Sequence, residues 1–234
     1  MTTFTPELTV GEIAAKLPGS VRVFEKYRID FCSGGKIPLE DACAKSGLDT
    51  AAVLEEIENV AAGPAPDATD WQNADLDRLI DHILETHHAY MKIELPRLEM
   101  MLAKVASKHG DRLPPLAAVF GPMKEELEGH LYKEEMILFP LIRGLINARR
   151  TGSAPPTSHC GSVRNPLRVM LMEHDSAGDA LVRLRDLTGG YTLPEAACNT
   201  FRTLYHELQE LETDLHRHIH LENNILFPRA IDLE

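Results

Sequence analysis

The chain has few of the features that mark secreted or membrane proteins. Its four cysteines are spread over 234 residues with no close pair, which predicts reduced thiols and not a disulfide-bonded extracellular fold. No apolar run approaches the roughly 18 residues that span a bilayer, and the N-terminal segment lacks the basic and apolar regions of a secretory signal. We therefore expect a cytoplasmic protein without a membrane partner.

Basic residues are also scarce relative to acidic ones. Lys and Arg number 24 against 36 Asp and Glu, which gives a formal charge of −12. Because a nucleic-acid-binding surface needs a basic face, the composition predicts no nucleic-acid partner. With 44% hydrophobic residues, the chain can build one large domain or two smaller ones.

Residues 1–62 are predicted to form a small helical N-terminal domain. Thr9 and Glu12 have the spacing of a capping box, in which two side chains satisfy free backbone N–H groups at a helix start. The sequence Cys32-Ser33-Gly34-Gly35 is typical of a tight turn. Residues 63–73 contain a run rich in Pro, Ala and Asp, which predicts a linker.

Residues 74–234 follow a different pattern, that of long amphipathic helices. Four helices are expected, at roughly 74–108, 115–149, 163–188 and 194–229. No alternating β-like pattern competes with them. The sequence therefore predicts an all-α fold, in which an up-down four-helix bundle follows the small helical domain.

The bundle segment contains an internal repeat. The motif His130-Leu-Tyr-Lys-Glu134-Glu-Met-Ile-Leu-Phe-Pro140 has a counterpart in His218-Ile-His-Leu-Glu222-Asn-Asn-Ile-Leu-Phe-Pro228. The two copies are offset by 88 residues, and His88 and His174 lie 86 residues apart. This pattern indicates a helical hairpin that was duplicated once, with pseudo-two-fold symmetry.

Each predicted bundle helix has an apolar face that only His or Glu interrupts. In the second helix, steps of three and four run through Leu127, His130, Glu134, Leu138 and Leu141. Over the four helices, the interrupting residues can meet at one level of the bundle: His88, His130, Glu134, His174, His218 and Glu222. Burying such groups without partners costs on the order of several kcal/mol per ion. Two cations would remove that cost, so we predict a two-metal site.

The helical register also separates each predicted ligand from a neighbouring histidine. A face through His88 continues with Met91, whereas a face through His87 would bury Glu94. In the last helix, His216 and His220 lie off the line that contains His218 and Glu222. The register therefore favours His88 and His218 as ligands.

The His-x-x-x-Glu spacing suits a pair of metal ions. Residues four apart on a helix share a face, with Cβ atoms about 5–6 Å apart, so the imidazole can bind one ion while the carboxylate bridges two. Two-metal sites hold their ions about 3.5–4 Å apart. A set without thiolates favours iron or manganese over structural zinc. Ferritin-like bundles use Glu-x-x-His and more carboxylates, whereas this histidine-rich pattern resembles that of hemerythrin.

The bundle motifs together with Phe24-Glu-Lys-Tyr-Arg-Ile-Asp-Phe-Cys-Ser-Gly-Gly-Lys36 closely resemble the Repair of Iron Centers family. These are di-iron proteins with an ScdA-type N-terminal domain and a hemerythrin-like bundle, and the resemblance runs essentially end to end. It implies the same six ligands around two iron ions that are bridged by an oxo group and carboxylates. It also implies repair of damaged iron–sulfur clusters under nitrosative or oxidative stress, through iron donation or nitric oxide chemistry.

The resemblance extends to three further residues. Glu126 and Glu173 match carboxylates that the family places near the centre, and we expect them to line an iron path or to contact the ligands. The family usually carries adjacent cysteines before Gly-Gly, where this chain has Cys32-Ser33. A single thiol cannot form a disulfide with its neighbour. Cys32 is still expected to be reactive, because a turn near a helix start can lower a thiol pKa.

Three functions need the same ligands and stay open at this stage. The resemblance favours an iron-donating repair protein, with damaged or apo iron–sulfur proteins as partners and nitric oxide or oxygen as small ligands. A hemerythrin-type oxygen-binding or sensing protein is the second. A di-iron nitric oxide reductase is the third, and of the three it alone is an enzyme in the usual sense. The sequence leaves the oligomeric state open, a homodimer included.

Overall fold

The computed structural model describes residues 4–62, 69–109, 113–156, 160–195 and 197–234. Regular structure in this part of the chain is helical, apart from one isolated bridge between Thr9 and Pro38, so the predicted all-α fold is confirmed. Residues 63–68 of the predicted linker lie outside the described ranges. None of the described helices is both long and apolar enough to cross a membrane.

The described residues form two compact units. One contains the described part of Met1–Leu79 together with His216–Asp232, and the other contains the described part of Ile80–Leu215 together with Leu233–Glu234. The division at Leu215 falls inside one continuous helix, Asn199–Leu221. The C-terminal end of the last bundle helix is therefore grouped with the N-terminal residues.

The N-terminal residues of the first unit form four short helices. These are α1 (Val10–Lys16), α2 (Val21–Tyr27), α3 (Leu39–Ser46) and α4 (Thr50–Ala62), with a single 3₁₀ turn at Pro18–Ser20. The predicted capping box is present, because Glu12 N–H donates to Thr9 Oγ1 at 3.3 Å and Thr9 N–H donates to Glu12 Oε2 at 3.0 Å. Fully buried Ile13, Phe24 and Leu39 are central to its core.

The bundle consists of four helical segments, named A to D here. Segment A contains α5 (Leu76–His82), a widened turn (Ile83–His88) and α6 (Ala89–His109). Segment B contains α7 (Pro114–Lys133), a widened turn (Glu134–Leu138) and α8 (Phe139–Thr151). Segment C is α9 (Arg164–Leu187). Segment D contains α10 (Asn199–Leu221), a widened turn (Glu222–Leu226) and α11 (Phe227–Ile231).

Ion pairs between helices establish the order of the bundle within the second unit. Segments A and B are joined by Asp81 and Arg143 at 2.5 Å and by Glu99 and Lys124 at 3.3 Å, so they run antiparallel. The other neighbours are joined by Lys133–Glu173 between B and C, Arg185–Glu212 between C and D, and Arg97–Glu207 between A and D. The bundle is up-down, as the sequence predicts.

The widened turns change which residues face the core. In each, an amide donates to the carbonyl oxygen five residues earlier, as Phe139 N–H does to Glu134. The expected core position Leu141 is only partly buried, whereas Ile142 is fully buried. The sequence prediction was wrong at Leu141 because steps of three and four assume 3.6 residues per turn, and a turn closed over five residues holds more.

Candidate metal centre

The structure brings the six predicted ligand residues together in the interior, with at most 2% of each exposed. Their ligand atoms form two groups, and within each group all atoms lie within 4.8 Å of one another. One group is His88, Glu134, His218 and Glu222, and the other is His130, Glu134, His174 and Glu222. Because Glu134 and Glu222 occur in both groups, each group combines two imidazoles with two shared carboxylates. Carboxylates shared by two groups of ligand atoms could bridge two neighbouring metal ions.

The Nε2 atoms of three imidazoles face the carboxylates. His130 Nε2 lies 3.3 Å and His88 Nε2 lies 3.4 Å from Glu134 Oε2. In the second motif, His218 Nε2 lies 3.2 Å from Glu222 Oε1. Both contacts within a motif join residues four apart, which a helix places on one face. The His-x-x-x-Glu spacing therefore delivers the local geometry on which the prediction was based.

Two of the imidazoles also contact a further carboxylate through Nδ1, the ring nitrogen that does not face Glu134. His88 Nδ1 lies 2.8 Å from Glu135 Oε1, and His130 Nδ1 lies 2.8 Å from Glu173 Oε2. An ionised carboxylate only accepts hydrogen bonds, so each Nδ1 carries the hydrogen and each Nε2 presents its lone pair. Carboxylates in this position hold metal-binding histidines in the required tautomer and orientation.

The charge environment keeps both orienting carboxylates ionised. The hydrogen bond from His130 lowers the pKa of Glu173 below its ordinary value, against an opposing contribution from burial, and Lys133 lowers it further. Burial raises the pKa of Glu135, but hydrogen bonds from Lys92 and His88 outweigh it, and the net shift is downward. Both groups therefore stay ionised at neutral pH, as the orienting role requires.

A small pocket reaches the ligands on one side of the bundle. It is lined by Met123, Glu126, Leu127, His130, Glu173, His174 and Ala177. Glu126 is exposed and accepts a hydrogen bond from Ser176 Oγ at 2.9 Å, while Glu173 is half-buried against His130. The structure thus places both predicted carboxylates at the pocket that His130 and His174 also line.

Comparisons with known proteins match this architecture over nearly the whole chain. The profile of the hemerythrin HHE cation binding domain matches residues 79–230, and that of a domain of unknown function, DUF542 or ScdA_N, matches residues 6–61. The iron-sulfur cluster repair protein YtfE of Yersinia pseudotuberculosis serotype O:1b is 38% identical over 226 residues, which cover 95% of this chain and 96% of that protein. The YtfE protein of Yersinia pestis strain Pestoides F gives the same values.

The chain belongs to the Repair of Iron Centers family. The hemerythrin-type match and the two His and Glu groups confirm the sequence prediction of a metal-binding, iron-type bundle. The matched range 79–230 contains the six predicted ligand residues as well as Glu126 and Glu173.

Sequence reasoning missed two acidic residues of this Repair of Iron Centers protein. Glu135, which contacts His88, has Asn223 as its counterpart in the repeat, so the repeat gave no signal for it. Asp214 lies 88 residues after Glu126, which is the repeat offset. Applying that offset to Glu126 would have found Asp214.

The two sides of the bundle differ although the motifs repeat. His87 lies 86 residues before Glu173, so His87 and Asp214 occupy the positions that Glu173 and Glu126 occupy on the pocket side. His87 Nδ1 lies 2.8 Å from Asp214 Oδ1, and their side chains are 6% and 20% exposed. One side of the repeat therefore has two acidic groups beside a pocket, and the other side has a histidine–carboxylate pair.

Cys32 is not the reactive thiol that the sequence suggested. It is 2% exposed, and its thiol donates to Asp30 Oδ1 at 3.1 Å. Burial and the negative charge of Asp30 raise the pKa of Cys32 well above its ordinary value. The expectation was wrong because the thiol is buried and because Asp30, held by the backbone N–H groups of Cys32 and Gly34, places a negative charge beside it. Burial and a carboxylate, and not a helix start, thus set the environment of the thiol.

Cys198 has the properties that were expected of Cys32. It is partly exposed immediately before α10, and its Sγ lies 3.3 Å from His109 Nε2. The hydrogen bond with His109 and those from the backbone of Phe201 and Thr200 lower the pKa of Cys198 to about 7. A helix start and an imidazole are both known to stabilise a thiolate.

Iodoacetamide at pH 7 is expected to alkylate Cys198 well before Cys32. The alkylation rate of Cys198 should rise with pH through an inflection at about 7, because the thiolate is the nucleophile. In His109→Gln, the inflection should move upward, toward about 8.5 for an ordinary thiol. Peptide mass mapping over time measures both rates, with Cys160 as an internal comparison. Faster labelling of Cys32 than of Cys198 would contradict the assignment.

Proposed function

We propose that this protein repairs damaged iron–sulfur clusters and that it holds two iron ions as the source of its activity. The proposed ligands are His88, His130, Glu134, His174, His218 and Glu222. One observation carries the proposal: the two groups of buried ligand atoms share both of their carboxylates. Close relatives over the full length are named iron-sulfur cluster repair proteins, which supports the same function here.

The donor set fits iron. It offers four imidazole nitrogens and two carboxylates without any thiolate, and such nitrogen and oxygen donors suit iron better than a closed structural zinc site. The orienting contacts of Glu135 and Glu173 add the support that metal-binding histidines need. When bound, the iron pair would supply electrons and a coordination position for nitric oxide or oxygen.

Iron donation is the form of repair that the pocket favours. Ferrous iron stands low in the affinity order of divalent metals, so nitrogen and oxygen donors can give it up to an acceptor. Glu173 contacts His130 and lines the same pocket as exposed Glu126. We propose that these two carboxylates form the route by which ferrous iron leaves the side of His130 and His174.

The remaining parts of the proposal follow from the family. The partners are damaged or apo iron–sulfur proteins, the small ligands are nitric oxide or oxygen, and the location is the cytoplasm. The domain division is a small helical domain at 1–62, a linker at 63–73 and the iron-binding bundle at 74–234.

Transfer of iron to an apo iron–sulfur protein tests the proposal. Iron-loaded protein is incubated anaerobically with the apo-protein, cysteine and a sulfide source, under a chelator too weak to strip the bundle. We expect cluster absorbance and acceptor activity to recover, while the iron-free protein gives no recovery. Absence of recovery would remove iron donation. Steady turnover of nitric oxide with an electron donor would then favour the nitric oxide reductase. A reversible oxygen adduct would favour the oxygen-binding protein.

A further inference from the structure

Both copies of the repeated motif carry a proline six residues after the shared glutamate. Pro140 follows Glu134, and Pro228 follows Glu222. Proline has no backbone N–H, and inside a regular α-helix its ring collides with the carbonyl group four residues earlier. A helix that kept 3.6 residues per turn through these motifs would therefore be strained at both prolines.

The structure avoids this strain by widening the turn before each proline. Phe139 N–H donates to the carbonyl oxygen of Glu134, and Phe227 N–H donates to that of Glu222, in each case across five residues. Each proline then takes the second position of the following helix, α8 or α11. An amide at the start of a helix has no intrahelical acceptor, so proline is tolerated there.

The widened turn has a direct consequence beside the proposed ligand His88. Glu134 Oε2 lies 3.4 Å from His88 Nε2, and the Phe139 ring centroid lies 5.5 Å from that of His88. In a regular helix, residues five apart point about 140° away from each other, because each residue turns by about 100°. A turn that closes over five residues brings Glu134 and Phe139 toward the same side, where both contact one imidazole.

We propose that Pro140 is a positioning residue for the metal centre and that Pro228 has the same role in the second motif. Pro140 sets the widened turn, and the turn places Glu134 and Phe139 together on His88. Glu135 contacts the Nδ1 atom of the same ring, so the His88 imidazole is held by three residues of segment B: Glu134, Glu135 and Phe139. The inference rests on the proposed function, in which His88 and Glu134 bind iron.

The widened turn in segment A shows that proline is not needed for every such turn. It spans Ile83–His88 and has no proline directly after it, since Ala89 and Tyr90 follow. The inference is therefore specific to segments B and D, and the turn in segment A is expected to stay unchanged when either proline is replaced.

The Pro140→Ala variant tests the inference, with Pro122→Ala as its matched control. Pro122 is exposed inside α7, which keeps regular turns despite this proline, so Pro122→Ala measures the effect of removing a helix proline that does not follow a widened turn. In iron-free Pro140→Ala, NMR or a crystal structure should show Phe139 N–H bonded to the Glu135 carbonyl and the contact between Phe139 and His88 lost. Ferrous iron affinity, measured by competition with a chromogenic chelator, should fall at least about tenfold. Pro122→Ala should match wild type in both measurements.

Two outcomes would overturn the inference. If Pro140→Ala keeps the turn closed over five residues, the proline does not set it. If the turn changes but ferrous iron affinity stays within about twofold of wild type, the turn does not position the ligands. Pro228→Ala repeats both measurements in segment D should Pro140→Ala not fold. Failure of wild type to take up iron would instead contradict the proposed function. The Phe139–His88 contact, compared between iron-free wild type and iron-free Pro140→Ala, would still show whether Pro140 sets the widened turn.

Discussion

Glu134→Gln is expected to bind fewer than one iron ion per chain under conditions in which wild type binds about two. Glu134 belongs to both groups of ligand atoms, so its replacement removes a negative donor from both iron positions at once. Glutamine has nearly the same shape, and the fold should persist. Iron content after anaerobic loading and desalting, together with Mössbauer spectra, measures the effect.

Ligands that belong to only one of the two groups should cause a smaller loss of iron in the same experiment. His174 belongs to one group only, so His174→Asn should keep about one iron ion, while Glu134→Gln and Glu222→Gln keep fewer than one. The control is Glu128→Gln, an exposed carboxylate on the same segment as Glu134, which should load like wild type. Equal losses in His174→Asn and Glu134→Gln would count against carboxylates shared by two ions.

The variant Glu126→Gln should release ferrous iron roughly five times more slowly than wild type. A cation that passes one carboxylate near the surface is stabilised by about 1 kcal/mol, which corresponds to about a fivefold change in rate. Glu126 lines the pocket beside His130 and His174. Stopped-flow transfer of iron to a colorimetric chelator measures the rate.

The variant Glu126→Gln separates the route of iron release from the affinity for iron. Glu126 accepts a hydrogen bond from Ser176, whereas Glu173 contacts the proposed ligand His130, so Glu126→Gln should slow release without changing iron content. Glu125→Gln, exposed on the same helix, is the matched control. An unchanged release rate in Glu126→Gln at full iron content would exclude the pocket as the exit.

Much of this protein follows from local sequence patterns. The helical period located the bundle, and His and Glu on otherwise apolar faces marked the six residues that the structure brings together. The repeat reinforced them, because duplication conserves spacing within each motif. These properties depend on residues a few positions apart on one helix, and helix geometry relates such residues without knowledge of the rest of the fold.

Tertiary structure alone decided the contacts between distant segments. Glu135 reaches His88 across 47 residues of sequence, and His109 reaches Cys198 across 89, so no local spacing could indicate either contact. Burial and the charge of Asp30 reversed the expected reactivity of Cys32, because a thiol pKa depends on burial and neighbouring charge and not on the turn alone. The widened turns likewise moved burial from Leu141 to Ile142. Periodicity could predict which faces were apolar, but packing determined which side chains met and in which ionisation state.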